Sequence, residues 1–271
     1  MKCTNIFSKV QSNYIDKGYI YMHMERLSPL HVFLFKSPGM KISDIVRSFR
    51  HLFFPHTCAG CGNDALHQQQ LLCLTCISEL PLTNFHRYAE NPVHHLFRGR
   101  LPLVNATSFA YFTKDSLLQH LLHEFKYKNR KDIGTWLAHR LGEALQESQH
   151  FNKPDALIPV PLFSARERQR GYNQSHILCE GLAEKWQVPV LPNVVVRTSR
   201  TQSQTRKNRI ERWQNMEGKF ELRSHTQIEG KHLLLVDDVL TTGATLEACG
   251  RALLQAPQVT LSVATIGFVT R

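Results

Sequence analysis

Apolar residues along this 271-residue chain change their spacing from one segment to the next, and each spacing implies an element. In "KISDIVRSFRHLFF" (41–54) they fall at 42, 45, 46, 49, 52 and 53, which predicts a helix. "NATSFAYFTKD" (105–115) alternates like a strand and ends in a turn. "SLLQHLLHEFKYKN" (116–129) and "DIGTWLAHRLGEALQES" (132–148) each place apolar residues on one helical face. "ALIPVPL" (156–162) predicts a short buried strand stopping at Pro159–Pro161. A helix over about 173–186 and the strand-like "VPVLPNVVVR" (188–197) come next. Then comes "HLLLVDDVLTTGATL" (232–246), where the apolar run Leu233–Val236 is too short for a helix and predicts a buried strand ended by Asp237 and Asp238. "TLEACGRALLQA" (245–256) has helical spacing, and "QVTLSVATIGFV" (258–269) reads as the last strand. Strands alternating with helices from 155 onward predict an α/β fold, a parallel sheet flanked by helices on both faces. Ligands of such sheets bind beyond the carboxyl ends of the strands, where 237–245 lies.

Residues 1–40 lack sustained periodicity and hold Met22, Met24 and Met40 as alternative starts, so a poorly ordered or mis-assigned extension is expected there. The implied organisation is 1–40 extension, 41–82 helix plus small cysteine module, and 83–271 main domain. An apolar share of 42% suffices for a sizeable core. Lys and Arg number 33 against 22 Asp and Glu, a net charge of +11, which favours anionic partners: nucleic acid, phosphorylated metabolites or acidic surfaces. No run of eighteen apolar residues occurs, so no membrane span is expected. The N-terminus lacks the apolar stretch and cleavage site of a secretory signal, and a cytoplasmic location is expected.

Four of the seven cysteines form "CAGC" (Cys58, Cys61) and "CLTC" (Cys73, Cys76), two knuckles that can bring four thiolates to one tetrahedral point. This spacing points to structural zinc; two redox or disulfide pairs are the alternative, disfavoured because no thioredoxin-like βαβ pattern surrounds either knuckle. His56 and His67 lie close by, but four thiolates complete a shell without them. Cys179 and Cys249 fall inside apolar helical patterns and read as small core residues. Cys3 has no partner in the pattern, and the fifteen histidines show no metal-ligand grouping.

A strand running through Thr241, Thr242, Gly243, Ala244 and Thr245 into a helix N-terminus is suited to an anion, because free N–H groups and the positive end of the helix dipole meet there. Glycine at 243 would let the backbone approach a phosphate closely. Two other readings of "LLLVDDV" compete: the metal-binding acid of an NTPase, and a solvated acidic turn. The first needs a G-x-x-x-x-G-K-[ST] loop, and none occurs in the chain. "VDDVLTTGAT" resembles the phosphoribosyl-pyrophosphate (PRPP) signature of the type I phosphoribosyltransferases. That resemblance implies that Asp237 and Asp238 hold the ribose hydroxyls and serve as the catalytic carboxylates, while Thr241–Thr245 wrap the 5′-phosphate. Carboxylates accept hydrogen bonds from a vicinal diol and can hold Mg2+ directly or through water, so PRPP with Mg2+ is the implied ligand.

With the double C-x2-C module in front, and with "FKYKNRKDIG" (125–134), "IPVPLFSARERQRGYNQS" (158–175) and "TQSQTRKNRIERWQN" (201–215), residues 55–271 are similar to the ComF family of competence-associated proteins. Arg166, Arg168 and Arg170 come after a strand end, where guanidinium forks suit the pyrophosphate. Arg197, Arg200, Arg206, Lys207, Arg209 and Arg212 face one acid, Glu211, and the resemblance implies a segment here that closes over PRPP. Tyr172 and Trp213 are either buried structural aromatics, the commoner role, or platforms for a base. Lys126, Lys128, Arg130 and Lys131 around Tyr127 suit phosphate contacts or a soluble surface equally. The resemblance implies a role in natural transformation with single-stranded DNA and other DNA-uptake or recombination proteins as partners. An active transferase of nucleobase salvage and a PRPP-sensing regulator are the alternatives. A base-recognition element is not identifiable in the sequence.

Overall fold

The alternation that makes Leu233–Val236 a strand also sorts its side chains: Leu233 and Leu235 join one hydrophobic cluster, Leu234 and Val236 another. The computed structural model describes residues 57–64, 66, 70–198 and 219–270, together with the backbone of two short paired strands, β1 (Ile15–Asp16) and β2 (Tyr19–Ile20). The predicted helix 41–54, Cys3, His56, His67 and the segment 199–218 lie outside the described residues. Residues 1–56 and 57–271 form two separate units, and the second holds the sheet and the cysteine knuckles.

After the knuckles come α1 (Leu74–Ser78), a 3-10 turn (Phe85–Arg87) and α2 (Pro92–Phe97). The next elements are β3 (Ala106–Tyr111), α3 (Leu117–Tyr127), α4 (Lys131–Gln146), β4 (Ala156–Pro159), α5 (Ser164–Arg170) and α6 (Gln174–Trp186). β5 (Val195–Thr198), β6 (Lys219–Leu222), β7 (His232–Leu240), α7 (Ala244–Leu253) and β8 (Thr260–Phe268) complete the chain. The central sheet has the order β3-β8-β7-β4 and is parallel throughout. β7 and β8 lie in its middle and are apolar for most of their length, as a sheet covered on both faces requires.

One face carries Leu118, Leu121, Leu122 and Phe125 of α3, Ile133, Leu137 and Leu141 of α4, and Leu178 and Leu182 of α6. Gly181 lets α4 and α6 approach closely: a Cβ there would lie 2.7 Å from that of Ala138. Against the other face pack Val93 and Phe97 of α2 and Leu246, Cys249 and Leu253 of α7. Cys179 and Cys249 are core residues, as expected. Leu66, Leu72, Cys76 and Leu80 of the cysteine module share the cluster of α3 and α4, so module and sheet have a common apolar core.

Two expectations need correction. The stretch 188–197 divides: Val190 bridges Leu157 of β4 in the parallel sense, with Leu157 bonded to Pro189 and Leu191, whereas β5 leaves the sheet and pairs antiparallel with β6. Nor do Asp237 and Asp238 end their strand. β7 continues to Leu240, because Val239 and Leu240 still pair with Gly267 and Phe268 of β8.

Candidate functional site

The parallel register places the end of β4 beside the middle of β7: Pro159 lies opposite Val236, and the Val160 N–H donates to the Val236 carbonyl at 3.0 Å. The connection after β4 therefore leaves the sheet beside Asp237. Asn173 anchors it twice. Its Nδ2 donates to the Val160 carbonyl (3.0 Å), and its Oδ1 caps α6 by accepting from the Ser175 N–H (3.1 Å). The cap fixes the first turn of α6 so that Ser175 Oγ donates to Asp237 Oδ1 at 3.0 Å. The same oxygen accepts from the Asp238 N–H at 2.9 Å. On the other side Lys126, in the last turn of α3, forms an ion pair with Asp238 (Nζ–Oδ2 2.8 Å), both side chains mostly buried.

Burial, and then the charge of Asp238, push the Asp237 carboxyl up to about 7, against the opposing effects of the Asp238 N–H, Ser175 and Lys126. A strand-tip acid free in solvent would not behave this way; Asp237 lies within β7, not at its tip. The site therefore holds one carboxylate neutralised by lysine and a second poised near neutrality.

Thr241 and Thr242 are exposed, and Gly243 caps α7 in the left-handed region at φ 77°. The first N–H groups of α7 lack partners within their helix, and that of Ala244 donates to Thr242 Oγ1 (3.4 Å). For glycine at 243 the structure supplies two reasons nearer than approach to a phosphate. The φ is strained for any other residue, and a Cβ would lie 2.9 Å from two ring atoms of Phe97 and 3.3 Å from Leu96 Cδ2. Gly243→Val should accordingly destabilise the fold by roughly 2–4 kcal/mol, the sum of left-handed strain and overpacking. Thermal unfolding checks this; an unchanged melting temperature refutes the steric account.

Arg166 and Arg168 of α5 are exposed near the end of β4. Arg170 is already engaged: its Nη1 donates to Gln174 Oε1 (2.7 Å), its Nη2 meets the Tyr127 hydroxyl (3.4 Å), and the guanidinium lies 5.3 Å from the Tyr127 ring centroid. Arg200, Arg206, Lys207, Arg209, Arg212 and Trp213 lie outside the described residues. Arg197 is within them, sandwiched between the rings of Phe163 (3.7 Å) and Phe220 (5.3 Å). Its buried Nε has no hydrogen-bond partner, and burial together with the charge of Arg166 lowers its pKa. Tyr172 is a structural aromatic: it is buried, and its hydroxyl donates to the Phe125 carbonyl.

Sequence reasoning reaches Lys126 only as a surface or phosphate contact, and Ser175 only within a longer motif. Their convergence on the two acids is tertiary. The helix cap at Asn173 is the one local signal that could point to Ser175. A second residue that the sequence does not mark is Arg100, whose guanidinium reaches the Thr242 carbonyl and Glu247 across more than 140 positions of sequence.

The cysteine module can be tested for metal in the same way. Sγ atoms of Cys58, Cys61, Cys73 and Cys76, all free, lie within 4.8 Å of one another, with Cys61 and Cys73 3.8 Å apart. Tetrahedral Zn–S bonds of about 2.3 Å would set the sulfurs about 3.8 Å apart. Backbone N–H groups of Gly60 and Cys73 point at Cys58 Sγ (3.4 and 3.3 Å), and that of Cys76 points at Cys73 Sγ (3.5 Å). Burial alone would raise the Cys58 thiol, but hydrogen bonds involving Cys61, Cys73, Gly60 and Cys76 bring it down to about 6. Cys76 moves the other way, raised by burial and by its three neighbours. The cluster is compatible with a four-thiolate zinc site.

A parallel sheet with acids near the end of a middle strand, and a Thr/Gly loop leading from it into a helix, defines the type I phosphoribosyltransferase fold. Residues 174–269 match the family described as phosphoribosyl transferase domain. The particular relatives are competence and DNA-utilization proteins. The chain is 35% identical over 140 residues to competence protein F of Haemophilus influenzae, covering 50% of this chain and 61% of that protein. It is 29% identical over 212 residues to DNA utilization protein YhgH of Shigella flexneri, covering 76% and 87%. With competence protein ComFC of Bacillus subtilis it shares 29% over 147 residues, covering 53% and 56%. The resemblance to the ComF proteins is thus one of homology, although the chain spans less than two thirds of competence protein F. Among the described residues no helix is long and apolar enough to cross a membrane.

Proposed function

We propose that this protein binds PRPP with Mg2+ at the carboxyl end of β7 and handles single-stranded DNA in the cytoplasm, within DNA uptake or utilization. The observation that carries the PRPP reading is the pairing of Asp237 and Asp238, polarised by Ser175 and Lys126, directly before the loop that opens α7. Asp237 and Asp238 accept the vicinal ribose hydroxyls. N–H groups and hydroxyls of Thr241–Thr245 take the 5′-phosphate. Arg166 and Arg170, with Arg206, Lys207 and Arg209, surround the pyrophosphate. Mg2+ bound with PRPP would offset the charge of the pyrophosphate. Were a nucleobase or amine to attack C1 as the pyrophosphate leaves, Asp237 and Asp238 would stabilise the positive charge developing on the ribose carbon. Cys58, Cys61, Cys73 and Cys76 hold one structural zinc ahead of this domain.

The names of the relatives and the basic surface support the DNA reading. Lys128, Arg166 and Arg168 are exposed, and Tyr127, next to Lys128 in the chain, is 59% exposed. Phosphate neutralisation makes such binding salt-dependent, with a slope of about 0.7 per contact for single strands. Replacing Lys128, Arg166 and Arg168 by Gln should reduce the salt slope by about 2, measured by anisotropy with labelled single strands of several sequences. Absence of binding at physiological salt, or an unaltered slope, would confine the basic surface to PRPP.

A further inference from the structure

We infer that Arg100 is a positioning residue of the phosphate loop: it aims the peptide between Thr242 and Gly243 so that its N–H faces a sugar phosphate. This rests on the proposed PRPP site and adds to it a residue from far outside the 237–245 stretch.

Arg100 lies just beyond α2, and its Nη1 donates to the Leu96 carbonyl (3.3 Å) and the Thr242 carbonyl (2.9 Å). Nε and Nη2 both donate to Glu247 Oε2 (2.9 and 2.6 Å) in the first turn of α7. Glu247 is held on its other oxygen by Arg251 (3.0 and 3.2 Å). Burial opposes ionisation of Glu247, but the hydrogen bonds from Arg100 and Arg251 outweigh it and lower its pKa. The guanidinium also lies 5.8 Å from the centroid of Phe97, the ring that fills the space beside Gly243. One side chain thus joins the end of α2, the loop and the first turn of α7.

Peptide geometry turns that tie into a direction. No peptide bond among the described residues is cis, so the carbonyl of Thr242 and the N–H of Gly243 lie in one plane and point in opposite directions. Tying the carbonyl to Arg100 turns the N–H away from Arg100. Among the described residues that N–H has no acceptor. Without the tie, the peptide is free to rotate, and the nest of N–H groups is no longer preset for an anion. A guanidinium serves because its fork meets a carbonyl and a carboxylate at once; an ammonium at the same place offers no such planar fork.

The test separates the two ends of the ligand. Calorimetry with PRPP–Mg2+, ribose 5-phosphate and pyrophosphate–Mg2+ is run on the parent chain, Arg100→Gln, Arg100→Lys and the double variant Arg100→Gln/Glu247→Gln. The double variant removes the carboxylate that the single change leaves unpaired, so its melting temperature should return toward the parent's. The expected result is a loss of about tenfold or more for PRPP and ribose 5-phosphate in all three variants, with pyrophosphate within about twofold of the parent. Recovery of ribose 5-phosphate affinity together with stability in the double variant would reduce Arg100 to a structural role and overturn the inference. Equal losses for all three ligands, or no loss in folded protein, would do the same. A parent chain that binds neither sugar phosphate refutes the PRPP reading itself, an outcome distinct from all of these.

Discussion

Asp237→Asn is expected to give a protein that is more stable than its parent at pH 8 and that no longer holds PRPP. The stability gain comes from removing a poorly solvated charge. With its pKa pushed up to about 7, Asp237 binds its proton more tightly folded than unfolded. Below about pH 4 the acid is protonated in both states and contributes nothing to the difference. As pH rises towards 7 the unfolded chain ionises first, and stability falls with each unit. Above 7 the full penalty stands. A shift of about three units corresponds to roughly 4 kcal/mol, and partial solvent access of the residue brings the expected gain to roughly 2–4 kcal/mol. Asparagine keeps an oxygen to accept from Ser175 and from the Asp238 N–H, so the local bonds survive. The gain should therefore be present at pH 8 and vanish near pH 4, as read by denaturant unfolding at both pH values. PRPP–Mg2+ binding should fall by about two orders of magnitude or more at pH 8, since a neutral amide is a weaker acceptor for the ribose hydroxyls than a carboxylate and cannot balance the charge of Mg2+. A variant less stable than the parent at pH 8 would show that Asp237 is a structural anion; unaltered affinity would place the ligand elsewhere.

The stretch 232–246 is legible as structure because its information is local: four apolar residues, two acids and small residues before a helical pattern specify strand, loop and helix within fifteen positions. The parallel sheet and its flanking helices are legible for the same reason, each element having its own period. The misreadings lie where pairing decides. Val239 and Leu240 extend β7 only because Gly267 and Phe268 of β8 are there to receive them, and that extension sets Asp237 inside the strand, not at its end. β5 leaves the expected sheet because β6, beyond the basic segment, offers it an antiparallel partner. Lys126, Ser175 and Arg100 come to the site by folding: no spacing rule connects Arg100 to Thr242. Arg170, by contrast, stands out in the sequence for its charge, yet Gln174 and Tyr127 already engage it.

Chelation of the four-cysteine site should unfold more than the module that carries it. One zinc per chain is expected in protein purified under reducing conditions, lost when Cys58 and Cys73 are both changed to Ser. Four thiolates would fill a tetrahedral shell, so a bound metal would contribute to folding and leave no open position for chemistry. Its contribution reaches the main domain through shared packing. Leu66, Leu72, Cys76 and Leu80 lie in the cluster that includes Leu118, Leu121 and Leu137 of α3 and α4. His120 of α3 also reaches the Ala59 carbonyl inside the first knuckle (3.2 Å). Releasing the knuckles would expose the apolar side of α3, the helix that presents Lys126 to Asp238. Each 1 kcal/mol of metal-linked stability lost corresponds to a fall of about 2–4 °C in melting temperature for a domain of this size. PRPP affinity should drop alongside, through the displaced lysine. Metal analysis, calorimetric melting and PRPP titration before and after chelation check the chain of effects. Stoichiometric zinc in the double Ser variant would move the metal elsewhere. A chelated protein with unchanged melting and PRPP affinity would show that the module and the β7 site are independent.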